Sequence, residues 1–300
     1  MYYTGFADEA SPDIEVQIKA TKELGWENIE SRRIGSANIH DISDEEFEAA
    51  AEKLEAAGVK INCFGSAIAN WGKQITDPFD SSLEETKRAI PRMQRLGTKL
   101  VRIMSFAVLK DREPDDQMEE ERFKRVKTLV DMFADAGIQA VHENCMNYGG
   151  MGYTYTLKLL ENVPGLKLVY DTGNPVFTDD RSRSKPYPKQ SSWEFYRNVK
   201  DHIAYIHIKD GITVPDPENP DNLKCQFTWA GDGQGDVRAI MKDLLADGYD
   251  GGISMEPHLA VVFHDESVQS EADVRYKNYV EYGKRFMKMI DELKQDLNQA

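Results

Sequence analysis

The stretch Gly137-Ile138-Gln139-Ala140-Val141-His142-Glu143 and its echo Gly165-Leu166-Lys167-Leu168-Val169-Tyr170-Asp171 decide how this chain folds. Each opens on a glycine, runs through apolar and β-branched residues and ends on a carboxylate. A glycine in that position closes a helix, because only a residue without Cβ enters the left-handed cap cheaply. The apolar run after it reads as a short buried strand. Helix, glycine, strand is the joint of a β/α unit, and the same phrase recurs along the whole sequence.

Outward from this joint the other units fall into place. The first strand is expected at residues 2–7. The first helix is expected to begin with Ser11 as N-cap and Pro12 at the first helical position, to bury Ile14, Ile18 and Leu24, and to stop at Gly25. A strand over 26–30 follows. Ser43 and Glu46 form an S-x-x-E capping box for a second helix with Phe47, Ala50, Ala51 and Leu54 on one face; Gly58 ends it before a strand at 59–64. Further helices are predicted near 82–96, 117–136, 154–162, 191–201, 236–246 and 270–296, with strands near 99–104, 138–143, 167–171, 203–208 and 252–256.

Eight strands alternating with eight helices imply a parallel sheet, and eight units favour closure into a (β/α)₈ barrel over an open sheet. The 300 residues suit one such domain spanning 1–300, since about 250 residues plus loop insertions is typical. No GxGxxG occupies the first βα turn, which argues against a dinucleotide fold. Two long connections, near 174–190 and 211–235, lie at the C-terminal ends of strands, the face where barrel active sites are built.

Composition narrows the partners. The chain is 40% apolar without a run approaching the roughly 18 apolar residues of a membrane span, and its first residues lack a secretory pattern, so a cytoplasmic location is expected. Cys63, Cys145 and Cys225 are odd in number and widely spaced, which points to reduced thiols. A net charge of -15 opposes binding to a nucleic-acid backbone, leaving small solutes.

Four consecutive strands end on a metal-capable residue: Val141-His142-Glu143, Val169-Tyr170-Asp171, Ile206-His207-Ile208 and Ser254-Met255-Glu256. Glu143 and Asp171 each follow their helix-closing glycine at the same distance, so they are expected at matching heights. Several carboxylates inside a barrel cannot neutralise one another, and burying them unpaired is costly. One divalent ion resolves the conflict. Three carboxylates and an imidazole suit Mn²⁺ best, with Mg²⁺, Co²⁺ and Zn²⁺ open.

On these residues the chain resembles the sugar phosphate isomerase/epimerase superfamily, the xylose isomerase-like barrels that include ketose 3-epimerases, inosose dehydratases and endonuclease IV. The resemblance spans almost the whole chain. It rests on Glu143, on Asp171-Thr172-Gly173-Asn174, on His207-Ile208-Lys209-Asp210 and on Met255-Glu256-Pro257. A loop, Gly231-Asp232-Gly233-Gln234-Gly235-Asp236, resembles the family's Gly-rich acidic loop before the seventh helix. The resemblance implies metal ligation by Glu143, Asp171, His207 and Glu256, and an acid/base role for Glu143 and Glu256 on opposite faces of a substrate. Two departures stand out: Asn174 replaces a His found in several epimerases, and no Arg lies in the ten residues after His207.

Substrate-binding candidates are Lys209 and His258, each two residues beyond a predicted ligand, together with Asn174, Glu30, Arg32 and Trp71. Lys209 can touch substrate or pair with a barrel acid; Trp71 can stack on a sugar ring or pack under a loop. His142 points away from the cavity by strand alternation and reads as structural. The locally basic run 179–189 reads as a solvated loop. The long final helix, with Val280, Phe286, Met287 and Ile290, can cover the barrel or meet a second copy in a homo-oligomer.

The expected activity is isomerisation or epimerisation of a sugar or keto-sugar by proton abstraction beside a carbonyl, through a metal-stabilised enediolate. A lyase, dehydratase or hydratase acting on a keto-sugar, keto-glycoside or inosose uses the same groups when a β-hydroxyl leaves. A non-catalytic sugar-binding barrel is the alternative outside enzymes. Endonuclease-like DNA cleavage needs more strand-end histidines and a basic surface, which this acidic chain lacks.

Overall fold

Alternation of β-branched strands and amphipathic helices produces the expected eightfold pattern, and the strands form within two residues of their predicted places. The strands are β1 (Tyr2–Gly5), β2 (Asn28–Ser31), β3 (Lys60–Gly65), β4 (Leu100–Ile103), β5 (Gln139–Glu143), β6 (Lys167–Asp171), β7 (Ile203–Ile208) and β8 (Gly252–Met255). The computed structural model describes residues 1–216, 223–262 and 265–299. All ladders in this sheet are parallel, in the order β1-β8-β7-β6-β5-β4-β3-β2, and a parallel bridge from Phe6 to Glu30 brings β1 beside β2. The result is a (β/α)₈ barrel.

Around it lie α1 (Ile14–Glu23), α2 (Asp44–Ala57), α3 (Asp80–Leu96), α4 (Glu119–Asp135), α5 (Tyr153–Asn162), α6 (Ser192–Val199), α7 (Val237–Ala246) and α8 (Ala272–Gln299). The capping box of α2 forms as read, with Ser43 and Glu46 exchanging bonds and Gly58 left-handed at φ 67°. Gly137 and Gly165 are left-handed too. The start of α1 differs from expectation: the N-cap is Asp13, whose carboxylate accepts from Glu15 N at 2.8 Å. Ser11 instead accepts from Asp13 N at 3.1 Å, a turn that delivers the chain to Asp13 and leaves Pro12 outside the helix.

The long final helix covers the barrel. It packs on α1 and α7, burying Val280, Phe286 and Ile290, while Met287 Sδ receives the Trp26 indole N–H at 3.2 Å. Of the two long connections, the first opens with a single helical turn, Asn174–Phe177, and the second carries an antiparallel ribbon of Gly211–Pro215 with Leu223–Phe227; residues 217–222 lie outside the described residues. The three cysteines are free thiols, and no helix among the described residues is long and apolar enough to cross a membrane.

His142 leaves β5 on the outer face, as alternation requires. Its Nε2 lies 3.0 Å from Ser105 Oγ and 2.9 Å from Asn147 Oδ1. Burial holds its pKa down to about 4 from an ordinary 6.5. Because the folded value lies below the unfolded one, the neutral imidazole stabilises the fold fully above pH 6.5, and that contribution is lost as pH falls toward 4. The loss is on the order of 3 kcal/mol. Urea unfolding at pH 7 and pH 4.5 is therefore expected to show a clearly larger stability drop in the natural chain than in His142→Asn; equal drops would contradict this account.

Candidate metal centre

Strand register sets the floor of the site. Asp171 pairs with His207, and His207 pairs with Ser254 on its other side, so these strand ends share one level. Glu256 follows at the next step, its N–H bonded to Ile208 O at 3.0 Å. Glu143 pairs with Val169 rather than with Asp171, so the expectation of matching heights is corrected: adjacent barrel strands are staggered by the shear that closure demands. The side chains still converge. One ligand atom from each of Glu143, Asp171, His207 and Glu256 lies within 4.8 Å of the others, and all four residues are buried.

The imidazole is aimed from below. His207 Nε2 donates to Glu30 at 3.1 and 2.9 Å, and Glu30 also accepts from Tyr205 OH at 3.0 Å. Tyr205 OH in turn accepts from Asn62 at 2.9 Å, and Asn62 accepts from Thr4 at 2.7 Å, so the chain of bonds crosses the barrel interior. With Nε2 so engaged, Nδ1 faces the carboxylates, 3.8 Å from Glu143 Oε1 and 3.9 Å from Asp171 Oδ2. His207 Nδ1 and Asp171 Oδ2 are both buried without a hydrogen-bond partner. An orphaned imidazole nitrogen facing a carboxylate oxygen that only an ion pair with Lys209 engages, backed by two more carboxylates, suits a divalent cation.

Cations of the chain itself hold the acids apart. Glu143 accepts from Arg102 at 2.9 Å and from Asn174 Nδ2 at 2.9 Å. Glu256 accepts from Arg32 at 2.7 Å and from Lys209 at 2.7 Å, and Lys209 also lies 3.1 Å from Asp171 Oδ2. Burial by itself raises the Glu143 carboxyl, but Arg102 and His207 outweigh it and hold its pKa at about 2. For Asp171 burial prevails, lifting it to about 6 against the pull of Lys209. Burial lowers His207, yet Glu30 and Glu143 prevail and carry it up to about 10. In the absence of a cation the cluster therefore favours a proton on His207.

The other expected residues divide. Asn174, Arg32, Lys209, His258 and Trp71 line a chamber of about 160 Å³ above the cluster, with Glu143 and Glu256 in its floor. Glu30 does not reach its wall; it is fully buried beneath His207, so its place is that of an orienting carboxylate, because the residue alternation that points it inward also lowers it one layer. His258 is fixed by Glu9, which accepts from its backbone N–H at 2.8 Å and lies 2.9 Å from its Nδ1. The basic run 179–189 is largely paired internally and to neighbours: Arg183 with Asp180 and Glu194, Lys185 with Glu113, Lys189 with Asp179.

Sequence reasoning missed Arg102, Asp8 and Glu9. Asp8 grips Arg32 at 2.9 and 3.1 Å. A lone arginine inside the apolar run Leu100-Val101-Arg102-Ile103 and the acidic pair closing Phe6-Ala7-Asp8-Glu9 were the available signs. It also missed Asp210. Its carboxylate accepts from the N–H groups of Gly211, Gly231, Gly233 and Gly235 at 2.8–3.0 Å. A Cβ on Gly233 would sit 2.3 Å from Asp210 Oδ1, which explains the alternating glycines: they wrap a carboxylate of the chain itself.

Comparison with known proteins bears on the fold and family. Residues 18–277 match the family model described as xylose isomerase-like TIM barrel. No curated protein matches the sequence. Among solved structures the chain is similar to an L-ribulose 3-epimerase, with 14% identity, a TM-score of 0.69 and coverage of 99% of this chain and 97% of that one. It is similar to a xylose isomerase-like TIM barrel protein from Mycobacterium smegmatis in complex with magnesium, at 18% identity and a TM-score of 0.65, covering 91% and 88%. A third is the probable 3-DHS dehydratase from Bacillus anthracis, at 15% identity and a TM-score of 0.64, covering 93% and 97%. At these identities the likeness shows the fold.

The buried Glu30–His207 bond makes a prediction for the cation. Glu30→Gln keeps the shape but removes the charge that orients His207, and divalent-metal affinity measured by calorimetry is expected to fall roughly 10–100-fold. Unchanged affinity would show that His207 is positioned without it.

Proposed function

From the match over residues 18–277, by which the chain belongs to the xylose isomerase-like TIM barrel family, we propose that it is a divalent-metal-dependent isomerase or epimerase of a sugar or keto-sugar. The observation that carries the reading is the convergence of Glu143, Asp171, His207 and Glu256 beneath a small polar chamber. These four would hold the ion, with manganese the first choice and magnesium, cobalt or zinc the others. When bound, such an ion polarises the substrate carbonyl and stabilises the negative charge that develops as the adjacent C–H proton leaves.

The chain supplies the rest. Glu143 enters the chamber from β5 and Glu256 from the end of β8, with β6 and β7 between them, so the two carboxylates address different sides of a bound ring. One removes the proton beside the carbonyl and the other returns a proton to the opposite face, or the same carboxylate returns it to the neighbouring carbon. Arg102 fixes Glu143 at 2.9 Å and Arg32 fixes Glu256 at 2.7 Å, and the carboxylate that returns the proton enters the cycle in its protonated form. Asn174 Oδ1, buried without a hydrogen-bond partner, is an acceptor for a substrate hydroxyl.

A lyase or dehydratase reading is favoured by one feature. The Lys209 ammonium is buried, lines the chamber and donates to Glu256 at 2.7 Å, where it can hand a proton to a hydroxyl leaving from the carbon next to the deprotonated one. Isomerisation needs no such donor.

The test is metal analysis of the purified protein followed by incubation in D₂O with ketoses, keto-glycosides and inososes. Solvent deuterium is expected beside a carbonyl, and the product separates epimer from dehydrated compound. Asp171→Asn is expected to lose metal and activity together; full metal occupancy in that variant would remove Asp171 from the ligand set. Lys209→Met is expected to keep its metal while turnover falls about 10²–10⁴-fold if Lys209 is the proton donor, and an unchanged rate would leave it a purely ionic partner.

A further inference from the structure

The chamber above the cluster is only one part of the open end. Beside it lies a second cleft of about 570 Å³, and Trp71, Cys145, Met146 and Phe177 line both. Pockets for compact organic ligands run about 300–1,000 Å³. The inner chamber at about 160 Å³ falls below that range, while the outer cleft lies within it. A free monosaccharide over the cluster would leave most of the outer space unused.

The two spaces differ in chemistry. The inner walls carry Arg32, Asn38, Asn70, Asn174 and Lys209, groups that bond hydroxyls. The outer cleft is walled by Trp71, Val108, Leu109, Met151 and Phe177, and its charged residues balance, Lys110 and Arg181 against Asp111 and Asp179. Trp71 stands at the junction. It is the most exposed of the four tryptophans, at 37%, and an aromatic face left open to water beside a catalytic chamber offers a stacking surface.

The outer wall is built in advance. Buried Arg122 donates to Ser105 O at 2.7 Å and Ala107 O at 2.8 Å, and Gln117 exchanges bonds with Leu109 at 2.9 and 3.0 Å. The segment bearing Trp71 is tied to this wall through Met104 N to Ile68 O, Phe106 N to Ala69 O and Ala107 N to Lys73 O. A cleft braced in this way costs little ordering when a ligand enters.

Charge limits what the inner end accepts. Around the cluster the buried acids Asp8, Glu9, Glu30, Glu143, Asp171 and Glu256 outnumber the fixed cations Arg32, Arg102 and Lys209. With Arg33 also on the chamber wall and Arg275 bonded to the backbone of Asp8 and Glu9, a divalent ion brings the charge close to balance. The glycine cradle next to the site, whose amides would suit a phosphate, is filled by Asp210. A site near charge balance, with its amide cradle already filled, suits an uncharged ring.

Resting on the sugar-converting reading above, we propose that the substrate is a neutral keto-glycoside: a keto-sugar ring, whose ring ketone supplies the carbonyl, in the inner chamber, joined to a flat aromatic group that lies in the outer cleft against Trp71. Trp71 is then a specificity-determining residue, acting on the part of the molecule that does not react.

Binding of methyl and phenyl β-D-glucopyranoside to the manganese-loaded protein, measured by calorimetry, tests this without requiring turnover. The phenyl glycoside is expected to bind at least ten times more tightly than the methyl one. Trp71→Ala is expected to bring the ratio within about threefold, and Trp71→Tyr to restore most of it, which a general loss of folding would not do. Equal affinities in the natural chain, or no phenyl glycoside binding at millimolar concentration, would overturn the proposal, as would tighter binding of glucose 6-phosphate than of glucose. Tight phenyl glycoside binding, with no deuterium entering any ketose, keto-glycoside or inosose, would overturn the isomerase and lyase readings instead and leave the aromatic glycoside as a bound ligand rather than a substrate.

Discussion

The architecture turns on the crowding of like charge at the C-terminal end of the barrel. Glu143, Asp171, Glu256 and Glu30 are all buried among apolar strands, where each ionised carboxylate loses hydration worth several kcal/mol. The fold answers with fixed partners: Arg102 on Glu143, Arg32 on Glu256, Lys209 between Asp171 and Glu256, and His207 on Glu30. What the partners leave over is specific. His207 Nδ1 remains without a hydrogen bond and Asp171 Oδ2 meets the Lys209 ammonium at 3.1 Å, and a divalent cation would satisfy that nitrogen and draw on that oxygen at once.

That crowding also explains the layered build of the barrel. Beneath the charged level, Thr4, Asn62, Tyr205 and Glu30 form one bonded chain to His207. Beneath and beside it, Cys63, Val141, Val169 and Tyr205 pack as an apolar plug. A polar layer between plug and cluster transmits orientation to the imidazole, so the ring position depends on residues from β1, β2, β3 and β7 together. The arrangement resembles the carboxylate–histidine pairs that set tautomer and direction at metal sites generally.

Much of this was legible in the sequence, because its two determinants are periodic. Glycine-closed helices and β-branched runs gave all eight strands, and strand alternation sent His142 outward and Glu143 inward. The start of α1 was misplaced because Ser11 and Asp13 are both capable caps, and only the turn between them decides. The stagger of Glu143 against Asp171 was invisible, since shear is a property of the closed sheet and leaves no mark on one strand. Glu30 was assigned to the substrate wall for a related reason: alternation tells which way a side chain points and not at what depth. Arg102 and Asp210 were overlooked because each serves a partner distant in sequence, Glu143 in one case and a glycine loop in the other.

The Asp210 knot has a mechanical meaning. The carboxylate gathers Gly211, Gly231, Gly233 and Gly235, while Asp210 O accepts from Thr228 N at 3.0 Å and Gly211 O from Gln234 N at 2.7 Å. Everything that leaves the barrel after β7 thus returns through one tied ring before α7 begins. The ribbon beyond the ring hangs from it as a bag hangs from a drawstring, and it leans back on the mouth through Phe227, whose ring lies edge-on to His258 at 4.9 Å and to Phe177 at 6.0 Å. A change in the ribbon would thus be felt at the chamber wall, through those two rings, while the knot keeps the backbone that leaves β7 in place.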